Sequence, residues 1–233
     1  MARERETMTY TDVMKELEAA GTAQNRKVYA RHGVGEKMFG VSFENLTKLK
    51  KKIKTDHDLA LRLWASGVHD ARMLATMIAD PSKMTSSLLD AWLEEIDNYV
   101  LSDAFAKLAE KSAFAREKME KWTRSKDEWI GRAGWQLLAR LAMSDASLTD
   151  DALEEYLKAI ESRIHRSKNR QRDAMNSAVI AIGIRSAALE KKAVAAARRI
   201  GKVEVDHGET GCKTPDAVEY IERVKARRKT KGR

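Results

Sequence analysis

The stretch LTKLKKKIKTDHDLALRLWASGVHDARMLATMIADP, residues 46–81, decides the fold class. Leu46, Leu49 and Ile53 recur at the i, i+3, i+7 spacing of one helical face, while lysines occupy the other faces. Asp56 precedes the next apolar run and is a predicted N-cap, because its carboxylate can accept hydrogen bonds from the free amides of a helix start. The stretch therefore predicts a series of short amphipathic helices.

The same helical spacing continues through the rest of the chain. Two prolines and twelve glycines are too few for a β-sandwich or barrel, which needs a turn about every ten residues. Ser125 and Glu128 have the spacing of a capping box, and Thr214-Pro215 has that of an N-cap followed by proline. The sequence predicts helices at 43–53, 57–66, 69–79, 84–95, 113–123, 126–142, 150–163, 170–185, 186–199 and from 215 to about 223.

These helices indicate an all-α protein. Consecutive helices are predicted to pair into units of about forty residues, which stack into a curved solenoid with a concave surface. A compact irregular helical bundle is the alternative. No Gly/Ser-rich linker divides the chain, so we expect a single domain over 1–222 and a basic, flexible tail over 223–233. The predicted pairs are 43–53 with 57–66, 69–79 with 84–95, and 113–123 with 126–142.

The positive charge is concentrated locally. The formal net charge is +9, but the last eleven residues hold seven of the 44 basic residues and no acid. A polybasic end of this kind binds polyanions in a salt-dependent way, or is simply a solvated terminus. The run 48–54, with five lysines, is either a DNA contact or a solvated surface. A run at a helix junction is predicted to contact DNA phosphates through Arg163, Arg166, Lys168, Arg170 and Arg172.

Several classes of protein are excluded by what the sequence lacks. The single cysteine excludes an internal disulfide and fits a reducing cytoplasm, which is the predicted location. No apolar run approaches the roughly 18 residues of a membrane span, and the N-terminus lacks the apolar core of a signal peptide. The loop motifs of P-loop, Rossmann, α/β-hydrolase and zinc-protease sites are absent, and the five histidines are scattered, so we expect no metal site.

The most distinctive local motif is VDHGETGCKTPD, residues 205–216. Its Asp, His, Glu and Cys side chains are potential metal ligands, although their spacing matches no standard site. The alternative is a glycine-containing turn that ends in the Thr214 cap of the last helix. A reactive Cys212 is a third possibility, since Lys213 beside it favours the thiolate.

The order of these segments resembles the DNA alkylation repair family, the AlkD-like alkylpurine DNA glycosylases built from HEAT-like helical repeats. The resemblance covers nearly the whole chain after about residue 10. It is carried by NRKVYARHGV (25–34), by the 46–81 stretch, and by IDNYVLSD (96–103), KWTRSKDEWIGRAGWQLLARLA (121–142) and VEVDHGETGCKTPDAVEYI (203–221).

This resemblance implies a fold and a function. The fold would be a right-handed HEAT/ARM-like superhelix with a concave basic face, and the partner would be alkylated double-stranded DNA. The activity would be an N-glycosylase that releases cationic 3-methyl- or 7-methylpurines, with no cofactor or metal. The predicted catalytic residues are Asp103, which would stabilise an oxocarbenium-like state, Arg132, which would hold a phosphate, and Tyr99, which would contact the damaged base. The expected oligomeric state is a monomer.

The chain departs from the family's pattern at two aromatic positions. Tyr99 stands where the best-studied branch has tryptophan, and the stretch 173–183 holds no aromatic residue, with Ala178 nearest to the family's second tryptophan. Each site residue also has a structural alternative: an N-cap for Asp103, an ion pair with Asp127 or Glu128 for Arg132, and the core for Tyr99. Whether the protein is an enzyme therefore stays open. A non-catalytic DNA-binding protein and a protein-interaction scaffold are the alternatives.

Overall fold

The computed structural model describes residues 8–231, with side chains described as far as Arg228. Within that range the chain forms thirteen α-helices and two short 3-10 helices, and its β pairing is limited to one bridge between Gly21 and Val41. The all-α prediction is confirmed for this part of the chain. The helices are α1 Tyr10–Ala20, α2 Ala23–Arg31, α3 Phe43–Ile53, α4 His57–Ala65, α5 His69–Ile78, α6 Ser86–Glu94, α7 Tyr99–Ala109, α8 Ala115–Trp122, α9 Glu128–Ser144, α10 Asp150–Arg163, α11 Asn169–Arg185, α12 Ala187–Ile200 and α13 Ala217–Lys231.

The chain divides into two compact units, residues 1–113 and 114–233. The first holds α1 to α7 and the 3-10 helix Pro81–Lys83, and the second holds α8 to α13 and the 3-10 helix Ile164–Arg166. Whether the units unfold together is a thermodynamic property, so the single domain expected over 1–222 stays a prediction. No described helix is both long and apolar enough to cross a lipid bilayer.

In the first unit α5 is the central helix. Eight of its ten residues are buried, and α3, α4 and α7 all pack against it. The predicted pairs 43–53 with 57–66 and 69–79 with 84–95 are therefore wrong, since α3 and α4 share α5 as a partner and α6 packs on α7. An apolar surface around most of α5 lets it cover several neighbours at once, whereas a narrow stripe covers one.

In the second unit α9 and α11, each 17 residues long, form the main contact. The predicted pair 113–123 with 126–142 is confirmed, because α8 packs on α9. Gly134 allows this approach: a Cβ there would lie 2.4 Å from the backbone nitrogen of Thr123. Gly131 allows α11 to approach the other side of α9, since a Cβ at Gly131 would lie 2.1 Å from Nε2 of Gln171.

The helix starts are partly those predicted. Asp56 caps α4, with its Oδ1 accepting from the Leu59 amide at 3.0 Å, as expected. The capping box at 125–128 is wrong, because Asp127 caps α9 and accepts from the amides of Trp129 and Ile130 at 2.9 and 3.0 Å. A carboxylate at this position satisfies two free amides and also matches the positive end of the helix dipole. Glu128 instead accepts from the Arg170 amide at 2.6 Å.

The last helix begins later and ends later than predicted. Asp216 rather than Thr214 caps α13, with its Oδ1 accepting from the Glu219 amide at 2.9 Å. The helix continues to Lys231 rather than ending near Arg223, so the backbone of 223–231 is helical. That this part is a flexible tail stays a prediction. Lysine and arginine are good helix formers, and this stretch holds no glycine or proline to stop the helix. The end of the predicted tail, residues 232–233, lies outside the described residues.

Candidate functional site

Tyr99 and Asp103 lie one helical turn apart on α7, in the first unit. The spacing puts both side chains on one face of the helix, and both are half-buried. Asn98 caps α7, since its side chain accepts from the Leu101 amide at 3.0 Å, so Asp103 is not a helix cap. A half-buried carboxylate beside a tyrosine ring is the arrangement that the family resemblance predicts.

The hydroxyl of Tyr99 is hydrogen-bonded to Nδ1 of His32. The two ring centroids are 5.8 Å apart and the rings are tilted by 58°. His32 is the residue after α2, where it ends the helix, so the C-terminus of α2 fixes the orientation of the Tyr99 ring. In the sequence His32 is one of five scattered histidines. No local pattern links it to Tyr99, which lies 67 positions further along the chain.

A cluster of buried and half-buried side chains from α2 and α5 holds the loop between α2 and α3, the loop that follows His32. The Asp70 carboxylate, fully buried, accepts from the amides of Phe39 and Val41 at 2.6 and 2.7 Å. Tyr29 donates its hydroxyl to the Val41 carbonyl at 2.6 Å, and its ring contacts that of His69 edge-on at 5.8 Å. Burial raises the pKa of Tyr29 and lowers the pKa of His69. Both rings are therefore neutral near pH 7.

Arg132 lies in the second unit and links α9 to α11. Its side chain is 2% exposed, and Nη1 donates to Oδ2 of Asp173 at 2.7 Å and to the Arg170 carbonyl at 3.0 Å. The ion pair considered with Asp127 or Glu128 is thus made with Asp173, which is 41 residues away along the chain. A phosphate contact of Arg132 stays a prediction.

The second aromatic position of the family is part of the core here. Ala178 is fully buried in α11, on a helix with ten buried residues. The whole stretch 173–183 consists of small or aliphatic residues apart from Asp173, Asn176 and Ser177. No ring on this part of α11 is available to stack on a nucleobase.

The basic run 163–172 crosses the junction from α10 to α11, as predicted. Its residues divide by exposure: Arg166 and Lys168 are exposed, and Arg163, Arg170 and Arg172 are half-buried. The N-cap residue of α11, Lys168, makes no side-chain cap, and the Arg170 amide in the first turn is bonded to the Glu128 carboxylate at 2.6 Å. Exposed cations close together on a surface attract anions such as backbone phosphates. We call residues 163–172 the junction surface.

The basic residues of the junction surface also differ in their contacts with the rest of the protein. The Arg163 guanidinium lies over the Trp135 ring, 5.3 Å from its centroid, and its Nε donates to the Ala159 carbonyl at 3.2 Å. Arg166 donates to the Ser162 carbonyl at 2.7 Å but remains exposed. Arg163 is thus held against the protein, whereas Arg166 and Lys168 face solvent.

The 205–216 motif forms a turn, as one of its three interpretations expected. Asp206 Oδ1 accepts from the Gly208 amide at 2.8 Å, and Gly208 has a φ of 62°, which favours glycine. Asn169 pairs with Asp206 by donating to its carbonyl and accepting from its amide, both at 2.7 Å. The His207 ring is bonded to the Thr214 hydroxyl at 2.9 Å, and Thr214 lies two residues before the Asp216 cap of α13. Among the described residues no three metal-ligating side chains form a cluster.

Comparison with solved structures gives the class of this fold. A structure described as belonging to "a new family of proteins related to the HEAT-like repeat DNA glycosylases with affinity for branched DNA structures" matches with a TM-score of 0.87 and 33% identity. The match covers 94% of this chain and 95% of the other. The HEAT-like repeat fold that the resemblance implied is therefore confirmed. The basic character of a concave face stays a prediction.

The family follows from the sequence comparison. A family model described as DNA alkylation repair enzyme matches residues 13–221. The chain belongs to this DNA alkylation repair family. Two relatives, uncharacterised proteins of Listeria innocua and Listeria monocytogenes, are 28% and 29% identical over 94% and 96% of this chain. The alignments cover 99% and 100% of those proteins.

Proposed function

We propose that the protein binds DNA through the junction surface and prefers branched DNA to a continuous duplex. The observation that carries this proposal is the exposure of two cations, Arg166 and Lys168, side by side at the junction of α10 and α11. Exposed cations of this kind hold backbone phosphates without reading base sequence. The preference for branches rests on the affinity described for the structural relative, which shares a third of its residues with this chain.

Binding is better supported than base release. The family's arginine is here 2% exposed and paired with Asp173, and its second aromatic position is a buried alanine. The second unit therefore offers neither an exposed arginine nor an aromatic ring at these two positions to contact a damaged nucleotide. A protein-interaction scaffold has no specific observation in its favour.

N-glycosylase activity on alkylated duplex DNA is the second candidate function. It is favoured by Asp103, whose half-buried carboxylate lies one turn from a Tyr99 ring fixed by His32. A carboxylate so placed would stabilise the oxocarbenium-like state as a cationic purine leaves, and the ring would contact that purine. The chemistry needs no metal or cofactor, because the cationic base is already a good leaving group.

The binding proposal is tested by fluorescence anisotropy with a four-way junction and a linear duplex of matched sequence. We expect tighter binding to the junction, and weaker binding of both DNAs by the double variant Arg166→Gln, Lys168→Gln. Lys191→Gln removes one exposed charge from α12 and is the matched control. Equal affinity for junction and duplex would overturn the preference, and unchanged binding by the double variant would overturn the assignment to the junction surface.

The glycosylase candidate is tested by base release from heavily methylated duplex at stoichiometric protein. Release of 3-methyladenine or 7-methylguanine that is lost in Asp103→Asn, and kept in the control Glu94→Gln, would establish it. No release by the native chain would eliminate it. A monomeric state and a cytoplasmic location are further proposals, which sedimentation velocity and cell fractionation test.

A further inference from the structure

The 201–216 segment forms one wall of an open cavity next to the junction surface. The cavity has a volume of about 970 Å³ and lies in the second unit, between this segment, α11, α12 and the start of α13. Its size falls within the range of small-molecule sites in proteins, about 300–1,000 Å³. The segment's hydrogen bonds to Asn169 and Asn176 hold the wall in place: Asn176 donates to the Pro215 carbonyl at 2.9 Å.

One wall of the cavity presents an arginine with unused donors. Nε of Arg172 is buried and has no hydrogen-bond partner among the described residues. Its Nη2 makes one contact, 3.5 Å from Asn169 Oδ1, at the limit of a hydrogen bond. A guanidinium with an N–H that lacks an acceptor is incompletely satisfied, so an anionic oxygen that meets the accessible part of Arg172 from the cavity would be stabilised.

Among the described residues, three further cations line the cavity. Lys213 is exposed beside the cavity, Lys202 lies on the same segment, and Arg198 comes from α12. Arg198 has only a long contact with Glu222, at 3.9 Å. Together with Arg172 these side chains come from α11, α12 and the 201–216 segment, and Lys213 belongs to the 205–216 motif.

The carboxylates that line the cavity are engaged elsewhere. Asp206 accepts from the Gly208 amide, and Asp216 accepts from the Glu219 amide. Glu204 is bonded to Lys202 at 3.0 Å, and that lysine together with Arg172 lowers the pKa of the Glu204 carboxyl. Among the described residues Arg172 and Lys213 make no ion pair and Arg198 makes only the long one with Glu222, so these three cations are available to an anionic ligand.

The remaining walls are aliphatic. Val179, Ile200, Val203, Val205 and Pro215 contribute them, and the described lining holds no Phe, Tyr or Trp. The ligand therefore carries a negatively charged group at Arg172 and a larger, less polar body against the aliphatic walls. A phosphate ion alone is far too small to fill this space.

We propose that this cavity binds a nucleoside monophosphate unit, either free or as the phosphorylated end of a DNA strand. The terminal phosphate would be held by Arg172 and Lys213, with the sugar and base against Val179 and Pro215. Arg172 is also the last residue of the junction surface, so a strand held there has a short path to the cavity. The DNA-end form rests on the proposed function, whereas the free-nucleotide form does not.

The lone cysteine supplies a direct readout. Cys212 is exposed and lines the cavity, so a bound ligand would slow its alkylation by iodoacetamide, measured by mass spectrometry. Four probes are compared: deoxyadenosine monophosphate, inorganic phosphate, and one oligonucleotide with and without a terminal phosphate. We expect the mononucleotide, the phosphorylated oligonucleotide or both to protect Cys212, and inorganic phosphate and the unphosphorylated strand to protect it about tenfold less.

Variants of the cavity decide whether the protection is specific. Arg172→Gln and the exposed Lys213→Gln should each weaken protection about tenfold, and Lys191→Gln should leave it unchanged. Circular dichroism establishes that each variant is folded. The proposal is overturned if no nucleotide probe protects Cys212, if inorganic phosphate protects as well as the mononucleotide, or if neither cavity variant changes protection. Junction binding without any protection would refute the cavity alone, and protection by the mononucleotide without junction binding would refute only the proposed function.

Discussion

Arg132 and Asp173 form a buried ion pair that joins the two longest helices of the second unit. The distance from Nη1 to Oδ2 is 2.7 Å, and the two side chains are 2% and 19% exposed. Because α9 and α11 make the main helix contact of this unit, the pair fixes how one helix lies along the other. The same arginine that the family resemblance assigns to DNA thus has a structural partner inside the protein.

Removing the Asp173 charge should destabilise the protein strongly. Asp173→Asn removes a carboxylate that pairs with the buried Arg132 guanidinium, and breaking one side of such a pair costs about 3 kcal/mol or more. Urea denaturation at pH 7 measures the change in the free energy of unfolding. In a double-mutant cycle with Arg132→Met, the second substitution should cost much less in the Asp173→Asn background. Independent, additive effects of the two substitutions would show that the pair is not coupled.

The buried histidine His69 should make stability depend on pH. Burial lowers the pKa of its imidazole below the ordinary 6.5, against the opposing charges of Asp70 and Asp97. Between 6.5 and the lower folded pKa the unfolded chain binds a proton that the folded chain does not, so stability falls as the pH drops through this window. At pH 5.5 the loss is at most about 1.4 kcal/mol.

Thermal or urea unfolding at pH 7.5 and 5.5 measures this effect. His69→Gln should remove the difference between the two pH values that His69 contributes. His165→Gln, an exposed histidine, should leave it in place. An identical pH dependence in native protein and His69→Gln would contradict the assignment.

The positions of the helices in the sequence could be predicted far better than which helices pack against each other. The bounds of α3 and α10 agree with prediction because each depends on apolar spacing within a few residues, and α4 agrees because Asp56 caps it. The packing of α3 on α5 depends on which apolar surface is widest in three dimensions, which no local spacing records. The packing of α8 on α9 could be predicted, because a short connection brings consecutive helices side by side.

The candidate site shows the same division. Tyr99 and Asp103 were placed on one face correctly, because four residues make one turn. The contacts of Tyr99 with His32 and of Arg132 with Asp173 join residues 67 and 41 positions apart, and nothing in their own neighbourhoods indicates them. The cavity beneath 201–216 arises from a segment without regular structure, where sequence spacing carries no information on shape.

A methyl group at Gly134 should disrupt the contact of α8 with α9. A Cβ at this position would lie 2.4 Å from the Thr123 nitrogen and 2.5 Å from the Trp122 carbonyl carbon, and both are backbone atoms that cannot rotate away. Gly134→Ala should therefore cost about 3 kcal/mol, despite the better helix propensity of alanine. Gly35→Ala is the control, because nothing lies within 4 Å of a Cβ there. Equal stability of both variants and the native chain would contradict the close approach.

Arg166 and Arg163 should respond differently to neutralisation, although both belong to the junction surface. Arg166 is exposed, so Arg166→Gln should lower the slope of log affinity against log salt by about 0.9 for each phosphate that the protein no longer neutralises, with stability unchanged. Arg163 lies over the Trp135 ring and donates to the Ala159 carbonyl, so Arg163→Gln should lower the midpoint of thermal unfolding and change the salt slope less. Anisotropy titrations with duplex DNA over a salt series, beside melting curves, measure both. If the two variants show the same decrease in salt slope and the same decrease in stability, exposure does not decide which cations of this surface bind DNA.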